Sequence, residues 1–455
     1  MFTTQKKKVF IPLFSGIEGK NILRGGIFDE LRKTGLVEPI FFVGTHARAD
    51  YYRKEYPEVT FEVIKRYKRT FFDRAFSRFK FFSLRSKTID LKRQANYLRT
   101  KNRVAFIGSF VLNRICGNRF VRSFVRALDQ ALVRDHVVGE YFDRHAPSAV
   151  FAADLFEDTE ISMVREARRR GVPSIGFLST WDRLTSRWGI RLLPDHLVVF
   201  NEVLRDEAVE YAGIPKEKVY VSGAVQLDLH RAKAPLPRDA FMEKLGLPAN
   251  TKLIVYGPLG RTFDPSKQSD SEMVVRLDDA IEKGQFGQGH FKIVVRFPPN
   301  DFVDQATLPK LSHVIYDTPG VRFATVRGQD WDMKPAEIDH LRDLLANAVL
   351  VICYYSSLSI DAAVFDVPVI NINFDLYDPA KRHPYYETTH YSKVKVLKGI
   401  RLVESFDALV DAARAYCENP VLDREGRKAV LQQQAYNLDG HSADRIARYI
   451  EEHVR

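Results

Sequence analysis

The sequence predicts an α/β protein of two doubly wound domains, and three observations carry that expectation. Short apolar runs of β-branched character, such as Val349–Cys353 and Val367–Ile372, read as strands buried on both faces. These runs alternate with helical segments and end in polar turns, which is the rhythm of a parallel sheet. A chain of 455 residues also exceeds what one ordinary core accommodates, so two domains are expected. With 45% hydrophobic and 28% charged residues the composition is that of a soluble globular protein, and no apolar run approaches the length of a membrane span. The start KKKVFIPLF is basic but its apolar run breaks at Pro12, so a signal peptide is not expected. Cys116, Cys353 and Cys417 are scattered without metal-ligand spacing and point to reduced cytosolic thiols.

Val9–Phe14 reads as the first strand, followed by the glycine-bearing turn Ser15–Lys20 and a helix from about Asn21 to Lys33. Pro39–Gly44 is a second strand, with Thr45–Tyr56 a polar helix after it. Between Lys65 and Arg103 lies a strongly basic stretch opposed only by Asp73 and Asp90, with Phe71, Phe72, Phe76, Phe79, Phe81 and Phe82 interleaved. That segment accounts for the whole net charge of +11. Its chemistry fits an anionic membrane surface, nucleic acid, or a solvated face over buried phenylalanines. No nucleic-acid reading module accompanies it, so nucleic acid is unlikely.

Phe120–Arg144 reads as one long helix and Ala149–Ala153 as a strand running into Asp154. Ser174–Leu178 is another strand, and the loop after it, Ser179–Arg187, holds Trp181, Asp182, Arg183 and Arg187. Trp181 suits stacking on a sugar or base, and Asp182 suits a general base oriented by a neighbouring arginine. The alternative is a tryptophan anchoring the loop beside a salt-bridged aspartate. Asp195–Asn201 and Lys218–Gly223 complete this half, and Ala232–Leu247 reads as linker and first helix of the next.

Lys252–Tyr256 and Phe291–Arg296 open the C-terminal sheet, and Val349–Cys353 leads into Tyr354-Tyr355-Ser356-Ser357. Two hydroxyls and the first amides of a helix at the end of a parallel strand favour a phosphate or diphosphate, and Asp361 one turn on suits ribose hydroxyls. The alternative is that Ser356 caps the helix and Asp361 only favours its first turn. Asp375–Tyr391 reads as a long polar loop, and Phe406–Glu418, Arg424–Gln434 and the segment after Ser442 as helices. Asp330-Trp331-Asp332 reads as ordinary loop carboxylates, and no metal site is assigned.

The segment YYSSLSIDAAVFDVPVI resembles the donor-domain signature of GT-B-type transferases, and its Ser-Ser-x-x-x-Asp spacing is similar to the CDP-glycerol glycerophosphotransferase family. GIPKEKVYVSGAVQLD resembles the segment near the hinge of the same superfamily, and DGHSADRI its close. UDP-GlcNAc 2-epimerases share this pattern. The resemblance implies two Rossmann-like domains of GT-B type facing an interdomain cleft, with a terminal helix crossing back to the N-terminal domain. The implied boundaries are 1–230 with an insert at about 65–103, 231–436 for the donor domain, and 437–455 for the crossing helix. It further implies that Arg261, Arg296, Ser356 and Ser357 hold the donor diphosphate and Asp361 the ribose. Gly16, Glu18, Gly19 and Trp181 become acceptor-side candidates, and Asp182, Glu18 or Asp154 the carboxylate that takes the acceptor proton. Two places depart from the pattern: the loop Ser179–Arg187 has no His-Gly pair where the CDP-glycerol family normally has one, and Arg296-Phe297-Pro298 stands where related enzymes often have a histidine before the proline.

The function expected from these residues is a metal-independent glycosyltransferase moving a sugar from a nucleotide-diphosphate donor to a surface-polysaccharide or lipid-linked acceptor. The donor is a substrate, so no resident cofactor is expected. Glycerophosphate transfer from CDP-glycerol, UDP-sugar 2-epimerisation and a non-catalytic membrane- or nucleic-acid-binding role are the alternatives. The superfamily resemblance favours membrane attachment for the basic stretch, hence a cytoplasmic protein peripheral on the inner face of the membrane.

Overall fold

The computed structural model describes residues 6–64, 69–260, 268–301, 303, 305–323, 331–378 and 380–454. The chain divides into two compact units. The first contains Met1–Asp228, Thr388–His390 and Ala435–Arg455, and the second Leu229–Glu387 and Tyr391–Gln434. Thr388–His390, flanked in sequence by the second unit, belongs to the first.

In the first unit the described strands are β1 (Lys7–Pro12), β2 (Val37–Val43), β3 (Thr60–Val63), β4 (Ala149–Ala152), β5 (Ser174–Phe177), β6 (His196–Val199) and β7 (Val219–Val221). They form one parallel sheet in the order β3-β2-β1-β4-β5-β6-β7. Val9 lies opposite both Pro39 and Ala149, so β1 is central and the order reverses between β1 and β4. Ligands of open α/β sheets bind at such a switch point, beyond the carboxyl ends of the strands. One face buries Phe10, Phe42, Phe142, Val150 and Met163, with Phe10 edge-on to Phe42 at 4.7 Å. Helix α1 (Ile27–Thr34) carries Asp29 and Glu30 in its first turn and Arg32 and Lys33 in its last, each matching the helix dipole.

Between β3 and β4 the chain is helical: α2 (Phe71–Ser83), α3 (Lys87–Thr100), α4 (Arg103–Cys116), α5 (Arg119–Leu132) and α6 (His136–His145). The single helix expected over Phe120–Arg144 is two. The first ends at Leu132, and Asp135 caps the second by accepting from the Val137 and Val138 amides, a competing local bond that favours a new N-terminus. The helical segment also runs well past Arg103. Its inner side is fastened by buried charge: Asp129 on α5 accepts from Arg165 at 2.7 Å and from Arg191 at 2.5 Å, while Arg191 reaches Asp73 on α2 at 2.6 Å. All four side chains are buried.

In the second unit the main sheet is again parallel, in the order β10-β9-β8-β13-β14-β15. Its strands are β8 (Lys252–Gly257), β9 (Phe291–Arg296), β10 (Val314–Asp317), β13 (Ala348–Cys353), β14 (Val369–Ile372) and β15 (Arg401–Val403). A small antiparallel pair joins β11 (Val321–Arg322) to β12 (Trp331–Asp332). The same reversal occurs between β8 and β13, where Gly257 ends β8. A Cβ there would stand 3.0 Å from both Cys353 Cβ and Leu358 Cδ2, so glycine lets the strand end approach the Ser-Ser turn.

The strands not foreseen, β3, β10 and β15 in the large sheets and the small β11–β12 pair, have short or half-exposed sequences without a continuous apolar run. The loop expected over Asp375–Tyr391 holds a short 3₁₀ turn at Pro384–Glu387 and ends in the helix Thr389–Lys395.

Asp129→Ala leaves two buried guanidinium groups without their shared carboxylate. The expected loss is about 3–5 kcal/mol of stability, read by chemical denaturation, whereas Asp90→Ala on an exposed face is expected to change it by less than about 1 kcal/mol. Equal effects of the two would contradict the role given to Asp129.

Candidate functional site

The first unit gathers its carboxylates at the β1/β4 switch point. Burial of the loop after β1 is possible because Glu18 folds back on it: its carboxylate accepts from the Phe14 amide and, at 2.8 Å, from the Ser15 amide, with the Ser15 hydroxyl at 3.1 Å. Gly16 and Gly19 lie buried in the helical turn Gly16–Gly19 that this bond closes. After β4, Glu160 captures the Asp154 and Leu155 amides at 2.9 and 3.0 Å and bends the chain so that Leu155 adopts φ +64°. A branched side chain in that region is strained, and such strain collects at functional sites. Gly176 on β5 gives Leu155 its space, since a Cβ there would come within 2.3 Å of Leu155 Cδ1.

Asp154 is buried and paired with Arg183 Nε at 3.0 Å, so its charge is matched. Burial, together with the charge of Asp154, pushes the Glu18 carboxyl from 4.5 up to about 8, against the pull of the Ser15 amide and Arg48. Burial and the charges of Glu18 and Asp154 raise Glu160 as well. The Ser179 carbonyl is held from two sides, by Asn21 Nδ2 at 2.9 Å and Gln226 Nε2 at 2.8 Å, which fixes the start of the next loop.

In that loop Asp182 accepts from the hydroxyls of Thr180 and Ser186, each at 2.7 Å. Burial alone would raise its carboxyl, but the charges of His390 and Arg183 and these two hydroxyls outweigh it and hold the group at about 2. It is ionised at neutral pH and a weak base. Trp181 stands edge-on to His390 with ring centres 5.0 Å apart, and Thr185 Oγ1 lies 3.1 Å from His390 Nδ1. Glu18, Asp154 and Arg183 thus form one cluster, while Trp181 and Thr185 meet His390, whose charge acts on Asp182. No local pattern in the sequence marks His390, because it arrives from a segment two hundred residues away.

In the second unit the Ser-Ser turn follows β13 directly. Ser356 Oγ accepts from the Leu358 amide at 3.2 Å and Ser357 is exposed at the start of the short helix Leu358–Ala363. Asn371 on β14 braces the turn from beneath, donating to the Cys353 and Tyr354 carbonyls at 3.2 Å and to Ser359 Oγ at 3.1 Å. Asp361 is buried and lies 3.1 Å from His230 Nε2, a partner that no spacing along the chain marks although His230 follows the Gly-Ile-Pro segment closely. Arg296, at the end of β9, is ion-paired with Asp317 at the end of β10. Arg261 and Asp330 lie outside the described residues.

Carboxyls raised in the folded state bind protons more tightly than in the unfolded chain. Their contribution to stability is full below the ordinary value of 4.5 and is lost as the pH rises toward about 8. The melting temperature is therefore expected to fall across that window, and Glu18→Gln, neutral throughout, to flatten the fall. A Glu18→Gln profile parallel to that of the wild type would contradict the assignment.

A family model described as CDP-Glycerol:Poly(glycerophosphate) glycerophosphotransferase matches residues 185–452, more than half of the chain. The match begins just after Trp181, Asp182 and Arg183 and includes the Ser-Ser turn. Among curated relatives, Teichoic acid ribitol-phosphate polymerase TarL of Staphylococcus aureus (strain NCTC 8325 / PS 47) is 34% identical over 115 residues, 25% of this chain and 18% of that relative. The aligned stretch thus spans less than a fifth of the relative's own length. Among solved structures, MnaA of S. aureus with UDP superposes with a TM-score of 0.56 at 13% identity, covering 98% of this chain and 96% of that one. UDP-GlcNAc 2-epimerase from Neisseria meningitidis, bound to UDP-GlcNAc, gives 0.55 at 12% identity over 98% and 100%. At such identity these likenesses establish the fold alone, the α/β GT-B type. The Ser-Ser-x-x-x-Asp turn within a match of this extent settles the relationship: the chain belongs to the CDP-Glycerol:Poly(glycerophosphate) glycerophosphotransferase family.

Proposed function

We propose that this protein transfers a polyol phosphate from a CDP-activated donor to a hydroxyl of a cell-envelope polymer. The observation that carries this reading is the family match running through Ser356, Ser357 and Asp361, at the carboxyl edge of the second unit's sheet. The Ser356 and Ser357 hydroxyls and the amides after them bind the donor diphosphate, and Asp361, oriented by His230, meets the ribose. Arg261 and Arg296 add positive charge for the leaving nucleotide, Arg296 while shared with Asp317. Catalysis rests on positioning and on charge stabilisation of the leaving CMP, and the reaction is independent of metal ions. A second reading, sugar transfer from a nucleotide diphosphate, is favoured by the absence of a His-Gly pair from the loop Ser179–Arg187. Epimerisation has only the fold likeness behind it.

The test is a thermal-shift and product assay with CDP-glycerol, CDP-ribitol, UDP-GlcNAc and GDP-mannose. CDP-polyols are expected to stabilise the wild type and release CMP in the presence of a glycerol-phosphate oligomer, and a Ser356→Ala/Ser357→Ala variant to lose at least tenfold in donor affinity. Stabilisation by a UDP- or GDP-sugar alone would favour the second reading.

We also propose that the first unit attaches to anionic lipid on the cytoplasmic face of a membrane. No helix among the described residues is long and apolar enough to cross one. On α4 and α5, however, Val104, Ile107, Val111, Ile115, Phe120 and Phe124 are exposed, Val104 and Phe120 by 83% each. From Lys92 through Arg126 the chain has nine basic residues and no acidic one; Arg122 and Arg126 turn inward onto the Tyr211, Ala212 and Ile190 carbonyls, while the other seven lie nearer the surface. This pairing of apolar anchors and positive charge suits an interfacial surface, and it lies C-terminal to most of the stretch that the sequence singled out. Each inserted phenylalanine contributes about 1.5–3 kcal/mol. Phe120→Glu/Phe124→Glu is expected to abolish co-flotation with phosphatidylglycerol vesicles without lowering the melting temperature, and co-flotation unchanged by the substitutions would refute the assignment.

A further inference from the structure

The transfer proposed above must take a proton from the acceptor hydroxyl, and three carboxylates of the first unit are poorly suited to it. Asp182 is held at about 2 by its surroundings. Glu18 has Oε2 engaged by the Phe14 and Ser15 amides and Oε1 by the Ser15 hydroxyl, and is pushed toward its neutral form. Asp154 is buried against Arg183. Beside them stands an imidazole whose setting is built from several directions. Thr389 and Thr88 clamp its backbone reciprocally: the Thr389 amide donates to Thr88 Oγ1 at 3.0 Å, and the Thr88 amide to Thr389 Oγ1 at 3.2 Å. Thr388 and Thr389 are buried, whereas the ring of His390 next to them is only partly so. The ring has Thr185 Oγ1 at 3.1 Å from Nδ1, Thr388 Oγ1 at 3.4 Å from Nε2, and the edge of Trp181 across one side.

We propose that His390 is the general base of the transfer, with Asp182 as its positioning residue. This rests on the reading given under Proposed function. The acceptor oxygen forms a bond to the phosphorus that carries the polyol, and the bond from that phosphorus to the bridging oxygen breaks. CMP leaves with the electron pair, and the hydroxyl proton passes to the imidazole. The imidazolium so formed gains charge in the field of the Asp182 carboxylate, which lies in the loop whose Trp181 and Thr185 contact the ring and which Thr180 and Ser186 hold in its ionised form. A fixed anion beside a ring that gains charge lowers the barrier to proton uptake, and a histidine works near its ordinary range at neutral pH. The other charged groups that act on Asp182 are Arg183 and Arg187 of the same loop and Lys92 of α3. Arg183 is matched by Asp154. Lys92 is directed to the Ser186 carbonyl and lies 5.1 Å from the centre of the Trp188 ring. Asp182 is the carboxylate of this loop whose charge acts on the ring.

The test measures CMP release from the CDP-polyol between about pH 5 and 9 for wild type, His390→Ala, His390→Gln and Asp182→Asn, with the CDP-induced thermal shift of each. All variants are expected to keep the shift. His390→Ala and His390→Gln are expected to lose transfer by about 100-fold or more, and free imidazole to restore part of the His390→Ala rate. The wild-type rate is expected to fall on the acid side as the ring protonates. In Asp182→Asn that limb moves to lower pH, because removing the anion lowers the ring's proton affinity. A His390→Ala rate near that of the wild type, or acid limbs that coincide in wild type and Asp182→Asn, overturns the proposal and leaves the proposed function standing. Wild-type protein that releases no CMP but consumes a nucleotide sugar overturns the donor reading instead, and the same variants assayed with that sugar then decide the role of His390.

Discussion

The buried carboxylate of Asp129 is the point on which the first unit's site depends. It binds Arg165, on the helix after β4, and Arg191, in the segment after β5. Arg191 in turn reaches Asp73 on α2. Two guanidinium groups and two carboxylates out of water are tolerable only as a set, since any one left unpaired is strongly unfavourable. The set therefore fixes the helical segment 71–132 against the chain that carries Trp181, Asp182 and Arg183. Further bonds run the same way: Ser86 donates to the Thr185 carbonyl at 3.1 Å, and the Gly189 amide to the Lys80 carbonyl at 3.1 Å. One face of this basic segment thus holds the candidate site in shape while another, on α4 and α5, is left apolar and exposed.

The two sheets solve the same problem in different ways. Both place polar loops at a strand-order reversal, where helix and strand ends converge and the backbone has unpaired groups to offer. In the first unit that edge is filled with carboxylic acids, and the backbone itself is bent at Leu155 to serve Glu160. The low dielectric there favours neutral forms for Glu18 and Glu160, while Asp182, bonded by two hydroxyls and facing cations, keeps its charge. In the second unit the edge is uncharged at the Ser-Ser turn and is stiffened through Asn371, which suits a ligand that brings its own negative charge.

The segments through which the chain is similar to other proteins divide by role. The Gly-Ile-Pro segment ends in Asp228, whose carboxylate accepts from the Gly440 amide at 3.2 Å and the Ser442 amide at 2.9 Å, at the start of the helix Ser442–Glu452. Arg445 of that helix donates to the Ser222 carbonyl at 2.6 Å. Two motifs far apart in sequence are therefore one joint inside the first unit. The Ser-Ser turn stays open, with Ser357 exposed.

The sequence by itself determined the alternation of buried strands and helices, hence two parallel sheets, because central strands covered on both faces must be written as continuous apolar runs such as Val349–Cys353 and Ala149–Ala153. It also marked the Ser-Ser turn and the loop of Trp181 and Asp182, since a polar run after such a strand has few other reasons to exist. Edge strands such as Thr60–Val63 and Val314–Asp317 carried no comparable signal, being half-exposed and free to hold polar residues. The break at Asp135 escaped because helical periodicity continues across it and only a local capping bond interrupts it. Only the tertiary structure decided which partners the site residues have. The proton affinities of Glu18 and Asp182 depend on burial and on charges brought near from Asp154, Arg183 and His390. Those distances follow from how the chain folds back on itself, and residue spacing along it does not encode them.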